Sequence, residues 1–266
     1  MTSRSGGLKL QHGAERDRVL IVGHRGAEAL APENTWAALQ AGYASGADLL
    51  ELDVQLTRDG EAILFHDFSL QPKFGDPRWI RDLTWCDLQE LDVGSWFSPD
   101  FTGERIPHFS AVLDWARERV ALWVDLKHGF VASGDDRLEL KALDLIEGSG
   151  MDGQVLISSW DQVALARIRA RRPDIPLAVN LRERVADPVG QIVPTGARWV
   201  TVYWPQVDRQ TVDLLREAGL RVNLAGLFTD DYAEVLRLGV DAVTVRDPGP
   251  AQRALRPVSW SKDQGR

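Results

Sequence analysis

Eight short apolar runs, half of them rich in β-branched residues, recur along the chain at 19–23 (VLIVG), 48–54 (DLLELDV), 121–126 (ALWVDL), 154–158 (QVLIS), 176–180 (PLAVN), 198–203 (RWVTVY), 220–224 (LRVNL) and 240–245 (VDAVTV). Amphipathic stretches lie between them at 33–44, 109–119, 136–148, 160–171, 208–218 and 229–238. "EAG" (217–219) and "RLG" (237–239) place glycine just past two helix ends, as a helix stop requires. Strands that alternate with helices predict a parallel α/β fold, and eight repeats predict a closed (β/α)8 TIM barrel. An open doubly wound sheet is the alternative, but no GxGxxG follows the first strand, so a dinucleotide site has no support.

One segment breaks the rhythm. "DGEAILFHD" (59–67) reads as a turn and an extra strand, and 68–107 is rich in Gly, Pro and aromatics. This is too long for an ordinary βα connection, so it predicts a small insertion beside the barrel mouth. The expected organisation is a polar tail over 1–17 and one barrel domain over 18–258.

The formal net charge of −8 disfavours nucleic acid or an anionic membrane surface as the main partner. A small phosphorylated substrate stays open, because one site can be locally positive. The single cysteine, Cys86, rules out an internal disulfide framework and fits a reducing compartment. The N-terminal stretch lacks the apolar segment of a secretory signal. No run reaches the ~18 apolar residues that span a bilayer. The expectation is a cytoplasmic protein without membrane insertion; its oligomeric state is not legible.

Parallel barrels build their sites where the strands end, and the polar residues cluster there. "GHRG" (23–26) puts His24 and Arg25 at the tip of the first strand. In "ELDV" (51–54), Glu51 and Asp53 share one face while Leu50, Leu52 and Val54 turn towards the helices. "FHD" (65–67) brings His66 on the extra strand, and "LWVDLK" (122–127) puts Asp125 and Lys127 on one face above Trp123. An unpaired buried charge is expensive, so Asp125 and Lys127 are either a structural ion pair or part of a ligand site. Three converging carboxylates repel one another without a cation, and an all-oxygen set suits Mg2+ or Ca2+ better than zinc. Two histidines beside a metal can divide acid and base roles, and Arg25 and Lys127 can hold a phosphate-like group. Together these residues describe metal-assisted cleavage of a phosphate ester.

Each part has a structural alternative: His24 as a hydrogen-bonded strand end, and Glu51 and Asp53 as partners of nearby arginines. His108 reads as a helix-entry residue, His128 as a neighbour of Lys127, and "GDPR" (75–78) as a turn. The functional reading rests on several weak signals that fall on the same end of one barrel.

These segments, in order, resemble the glycerophosphodiester phosphodiesterase family. The match runs from "HRG" (24–26) through "PENT" (32–35), "GADLLELDVQLTRDG" (46–60), "HD" (66–67), "LDVGSWF" (91–97) and "GERIP" (103–107) to "VDLK" (124–127). Weaker echoes follow at "ISSW" (157–160) and "LGVDAVTVRDP" (238–248). The resemblance implies a barrel with a small inserted subdomain and a divalent cation, Mg2+ or Ca2+, with Mn2+ as a further candidate. It implies Glu51, Asp53 and Asp125 as metal ligands, His24 and His66 as the acid/base pair, and Arg25 and Lys127 as phosphate contacts. Asn34 would brace the loop, and Asp67 would orient His66. The implied partner is a small-molecule glycerophosphodiester, cleaved to glycerol 3-phosphate and an alcohol. Two alternatives stand beside it: lysophospholipase-D-like cleavage of a lipid, with Trp79, Trp85, Trp96 and Phe97 as an apolar mouth, and a silent barrel that only binds a phosphorylated ligand.

The chain also departs from the family pattern. Asp125 stands where Glu is usual, although related sphingomyelinase-D-like barrels use Asp there. "LAGLFTDD" (224–231) replaces a Trp-Thr-x-Asn run. Arg246 stands where a small or acidic residue is commoner, and either binds an extra anionic group or pairs with Asp247 or Asp230.

Overall fold

In a computed structural model, residues 18–129, 134–182, 185–227 and 232–256 are described. The expected tail at 1–17 and the end of "LAGLFTDD" lie outside them. The strands are β1 (Leu20–Gly23), β2 (Leu49–Leu56), β3 (Ala62–Leu64), β4 (Ala121–Leu126), β5 (Val155–Ser159), β6 (Leu177–Leu181), β7 (Trp199–Tyr203), β8 (Arg221–Ala225) and β9 (Ala242–Val245). The helices are α1 (Trp36–Ala44), α2 (Gln71–Phe74), α3 (Trp85–Leu88), α4 (Phe109–Ala116), α5 (Arg137–Ser149), α6 (Gln162–Arg171), α7 (Pro188–Ile192), α8 (Arg209–Glu217), α9 (Ala233–Leu238) and α10 (Pro248–Leu255). The sheet runs β1-β9-β8-β7-β6-β5-β4-β2-β3, and β1 also pairs in parallel with β2, so eight parallel strands close into the expected barrel. β3 runs antiparallel to the end of β2, with Val54 opposite Leu64, and takes the edge of β2 that β1 leaves beyond Leu50.

The period-2 rule sorts the side chains. Leu50, Leu52, Val54, Val124, Ile157, Val200 and Leu224 face outwards and join helix residues in one core. Leu20, Val22, Leu49, Ala121, Trp123, Leu156, Ala178, Trp199 and Ala242 fill the barrel itself. Trp123 and Trp199 meet edge to face at 5.5 Å on the barrel floor, a pairing worth about 1 kcal/mol beyond its buried area. Above this floor the inward positions turn polar: Glu51, Asp53, Asp125, Ser158, Asn180, Thr201, Asn223 and Thr244. All eight line one cavity.

Side-chain caps set several helix starts. Thr35, Asp161 and Asp208 accept from backbone N–H groups in the first turns of α1, α6 and α8, which relieves donors that have no partner within the helix. α1 begins at Trp36, three residues later than its amphipathic pattern, because Asn34 adopts a left-handed backbone (φ 57°) to reach the site. The segment after β3 has its own small core of Phe65, Leu70, Ile80, Leu83, Leu88, Val93 and Ile106. Its helices α2 and α3 are too short to hold themselves. Backbone bonds such as Arg58 N to Leu83 O (2.8 Å) and Leu64 N to Pro107 O (3.0 Å) fasten it to the barrel.

Behind β4, the carboxylate of Glu139 on α5 is buried between Arg167 Nε (2.9 Å) and His128 Nε2 (3.0 Å). Burial opposes its charge, but the close His128 contact and the hydrogen bonds from Arg167 outweigh that and hold it below the usual carboxylate range. A depressed carboxyl stabilises the fold above the unfolded pKa of about 4.3, and this is lost as pH falls through the folded value. Glu139→Gln is therefore expected to cost about 2 kcal/mol in urea unfolding at pH 7. The gap from wild type should shrink below about pH 4; an unchanged midpoint at pH 7 would refute the clamp.

Candidate active site

The loop after β1 makes an abrupt turn, with Arg25 (φ 49°) and Gly26 (φ 90°) both left-handed. A Cβ on Gly26 would lie 2.6 Å from the Ala38 backbone, so only glycine lets α1 pack this closely. Glu51 anchors the loop: its carboxylate accepts from Arg25 N (2.8 Å), and its carbonyl accepts from Gly26 N (3.0 Å). His24 N donates to Val245 O (2.8 Å), which ties the same loop to β9.

Asp53 and Asp125 face each other in register on β2 and β4, and both are buried. Lys127 Nζ lies between them, 2.9 Å from Asp53 Oδ1 and 2.6 Å from Asp125 Oδ2. Asp53 Oδ2 accepts from Asn34 Nδ2 (2.8 Å), and Arg25 Nε lies 3.4 Å from the same oxygen. The free oxygen of Asp125 accepts from Ser158 Oγ and Asn180 Nδ2, both at 2.9 Å. One ligand atom each from Glu51, Asp53 and Asp125 falls within a 4.8 Å cluster.

The charges divide unequally. Burial disfavours the Asp53 carboxylate, but Lys127 and then Arg25 outweigh it and hold the group below its ordinary range. Burial and the Asp53 charge push Glu51 up to about 7. Burial also works against the Lys127 ammonium, yet Asp53 and Asp125 keep it firmly protonated.

Both imidazoles are tethered by Nδ1. That of His24 lies 2.9 Å from Glu28 Oε1, and that of His66 lies 2.8 Å from Asp67 Oδ1. Burial lowers the His24 pKa, but the Glu28 bond and the Glu51 charge raise it further, to a net value above the usual one. Gln55 Nε2 donates to Phe65 O (2.7 Å) and Asp67 O (2.8 Å), pinning the His66 segment to β2. Lys73 of α2 sits 2.5 Å from Asp67 and 3.0 Å from Glu33, whose other oxygen accepts from Arg25 Nη1 at 2.8 Å. A continuous chain of alternating charges thus links His66 to Arg25 and Asp53.

His24, Arg25, Glu51, Asp53, His66, Asp125 and Lys127 all line one cavity of about 510 Å³. His108 caps α4 and meets Glu61 at 2.9 Å, away from this cavity, and His128 turns to Glu139 behind the barrel. Arg246 pairs with Glu28 (2.9 Å), a partner that neither sequence alternative named; Asp230 lies outside the described residues. Sequence reasoning overlooked Ser158, Asn180, Glu28 and Lys73. For Ser158 and Asn180 a signal existed, because each is a polar residue at the inward register of an apolar strand.

The family model described as "Glycerophosphoryl diester phosphodiesterase family" matches residues 24–249. A Bacillus subtilis (strain 168) glycerophosphodiester phosphodiesterase is 27% identical over 248 residues, covering 87% of this chain and 85% of its own. A crystal structure of a glycerophosphodiester phosphodiesterase from Agrobacterium tumefaciens superposes with a TM-score of 0.73 at 25% identity, over 87% of this chain and 98% of that one. An Oleispira antarctica phosphodiesterase, solved with the product sn-glycerol-3-phosphate, shares the fold at a TM-score of 0.82 and 24% identity, over 88% of this chain and 96% of that one. With the match spanning both the barrel and the carboxylate–histidine cavity at its mouth, the chain belongs to the glycerophosphoryl diester phosphodiesterase family, a family of phosphoric diester hydrolases.

Proposed function

We propose that the protein hydrolyses a small glycerophosphodiester to glycerol 3-phosphate and an alcohol, with a divalent cation on Glu51, Asp53 and Asp125. One observation carries this reading: three carboxylate oxygens cluster within 4.8 Å beside two tethered imidazoles and Lys127. The all-oxygen donor set fits a hard cation, Mg2+ or Ca2+, with Mn2+ admissible. Such an ion, when bound, supplies Lewis-acid charge to the phosphoryl oxygens. The match to the Bacillus subtilis enzyme and to the family model supports the substrate class.

The chain's own groups divide the remaining work. Lys127 and Arg25 bring positive charge to the phosphate. Nδ1 of each histidine is held by a carboxylate, which leaves both Nε2 atoms for the reacting groups. The His24 imidazole, biased towards its protonated form, donates a proton to the leaving alkoxide. His66 accepts the proton of the attacking oxygen, whether it belongs to water or to the substrate's neighbouring hydroxyl.

The lipid alternative is less well supported. Arg81 covers Trp79 at 4.7 Å, Trp85 packs on His108, and Phe97 lies between Trp96 and Phe101. These aromatics engage the insertion and its neighbours instead of forming a shared apolar mouth. A silent barrel would not need two tethered imidazoles beside the carboxylates. Among the described residues no helix is long and apolar enough to cross a membrane. The cytoplasm remains our proposed compartment, in keeping with an exposed free thiol at Cys86.

EDTA should abolish diester cleavage, and Mg2+, Ca2+ or Mn2+ should restore it; full activity in excess chelator would remove the metal from the proposal. His24→Ala and His66→Ala should each lose about 10²–10⁴-fold in kcat without a change in thermal midpoint. Near-normal turnover by either would break the acid/base pair. Asp125 is braced from two strands, so Asp125→Glu should displace its oxygens and weaken metal binding by about 10- to 100-fold in calorimetry. An unchanged affinity would make the departure from the family pattern incidental.

A further inference from the structure

The wall of the cavity opposite the histidines rises from β5, β6 and β7. Trp160, Arg182 and Tyr203 stand there, each two residues beyond an inward polar position, Ser158, Asn180 and Thr201 respectively. The Trp160 and Tyr203 rings stack at 5.6 Å between centroids, with 26° between their planes. The Arg182 guanidinium lies 5.5 Å from the first ring and 6.0 Å from the second. Among the described residues no carboxylate pairs with Arg182. Trp160 is 40% exposed, so part of its ring is open to an occupant of the cavity.

This wall adjoins the carboxylate centre. Burial, then the negative charges of Asp125 and Glu51, hold the Tyr203 phenol above its ordinary value, so it remains an O–H donor. A diester whose phosphate lies between Lys127 and Arg25 has room to extend one arm along the wall within the same cavity.

We infer that Trp160, Arg182 and Tyr203 form the subsite for the leaving alcohol, and that they select uncharged, hydroxyl-rich alcohols over alkylammonium alcohols. The inference rests on the diesterase reading above. A quaternary ammonium is recognised by open aromatic faces, usually with negative charge nearby. Here a cation already lies over both rings, and the carboxylates among the described lining residues are the three of the proposed metal centre. A second fixed cation would be repelled by Arg182. A polyol instead meets guanidinium and phenol donors for its oxygens and a flat ring for its C–H face.

The test compares kcat/KM for glycerophosphoglycerol, glycerophosphoinositol, glycerophosphocholine and glycerophosphoethanolamine under one metal and pH condition. Wild type should favour the two polyol diesters by about tenfold, the scale expected when one like-charge contact at the surface is avoided. Arg182→Gln should bring the ratio close to one, mainly by improving the choline diester, and Arg182→Glu should reverse it. Arg182 is exposed, so equal thermal midpoints will show that these variants stay folded. Equal turnover of all four diesters by wild type, or an unchanged ratio in Arg182→Gln, would overturn the subsite while leaving the hydrolase reading intact. No turnover of any diester would overturn both.

Discussion

Asp53 and Asp125 are direct neighbours across a parallel strand pair, and each is almost wholly buried. Two like charges in that position oppose folding unless cations stand beside them. Much of the surrounding architecture supplies that positive charge and its alignment. Lys127 comes from the end of the same strand as Asp125, Arg25 from the turn after β1, and Asn34 from the loop before α1. Ser158 and Asn180 extend the support around the barrel to β5 and β6. The centre is therefore held by five strands or strand-end loops.

The same interaction reconciles the two readings of "LWVDLK". The Asp125–Lys127 ion pair exists, and it lies inside the cavity together with the other carboxylates. Sequence reasoning assigned the countercharge for three carboxylates to a metal. In the folded chain, Lys127 and Arg25 already provide part of it, so the chain itself offsets some of the repulsion. The insertion contributes Lys73, which neutralises Asp67 and Glu33, while Gln55 of β2 pins the backbone beside His66.

The fold was legible because the two periodicities are unmixed. All eight barrel strands fall within two residues of their apolar runs, and "DGEAILFHD" contains β3. That the seven candidate residues meet in one cavity was legible because strand ends in a barrel converge on one face. What stayed hidden depends on partners far apart in sequence. Arg246 and Glu28 are 218 residues apart, and nothing local in either segment announces the other. The left-handed turn at Asn34 was likewise invisible in a helical pattern, because its cause is a hydrogen bond to Asp53, nineteen residues on. Ser158 and Asn180 were readable in principle from their inward register alone.

Ring closure has a consequence for how the enzyme comes into being on the ribosome. β1 pairs with β9, Leu20 beside Ala242, and the His24 backbone is anchored on Val245. A nascent chain that has emerged only as far as β8 already carries all three carboxylates, yet the turn bearing His24 has no second wall. Contacts of such long sequence separation form late and slowly. The closed cavity that holds His24 beside the carboxylates therefore arrives with the last strand.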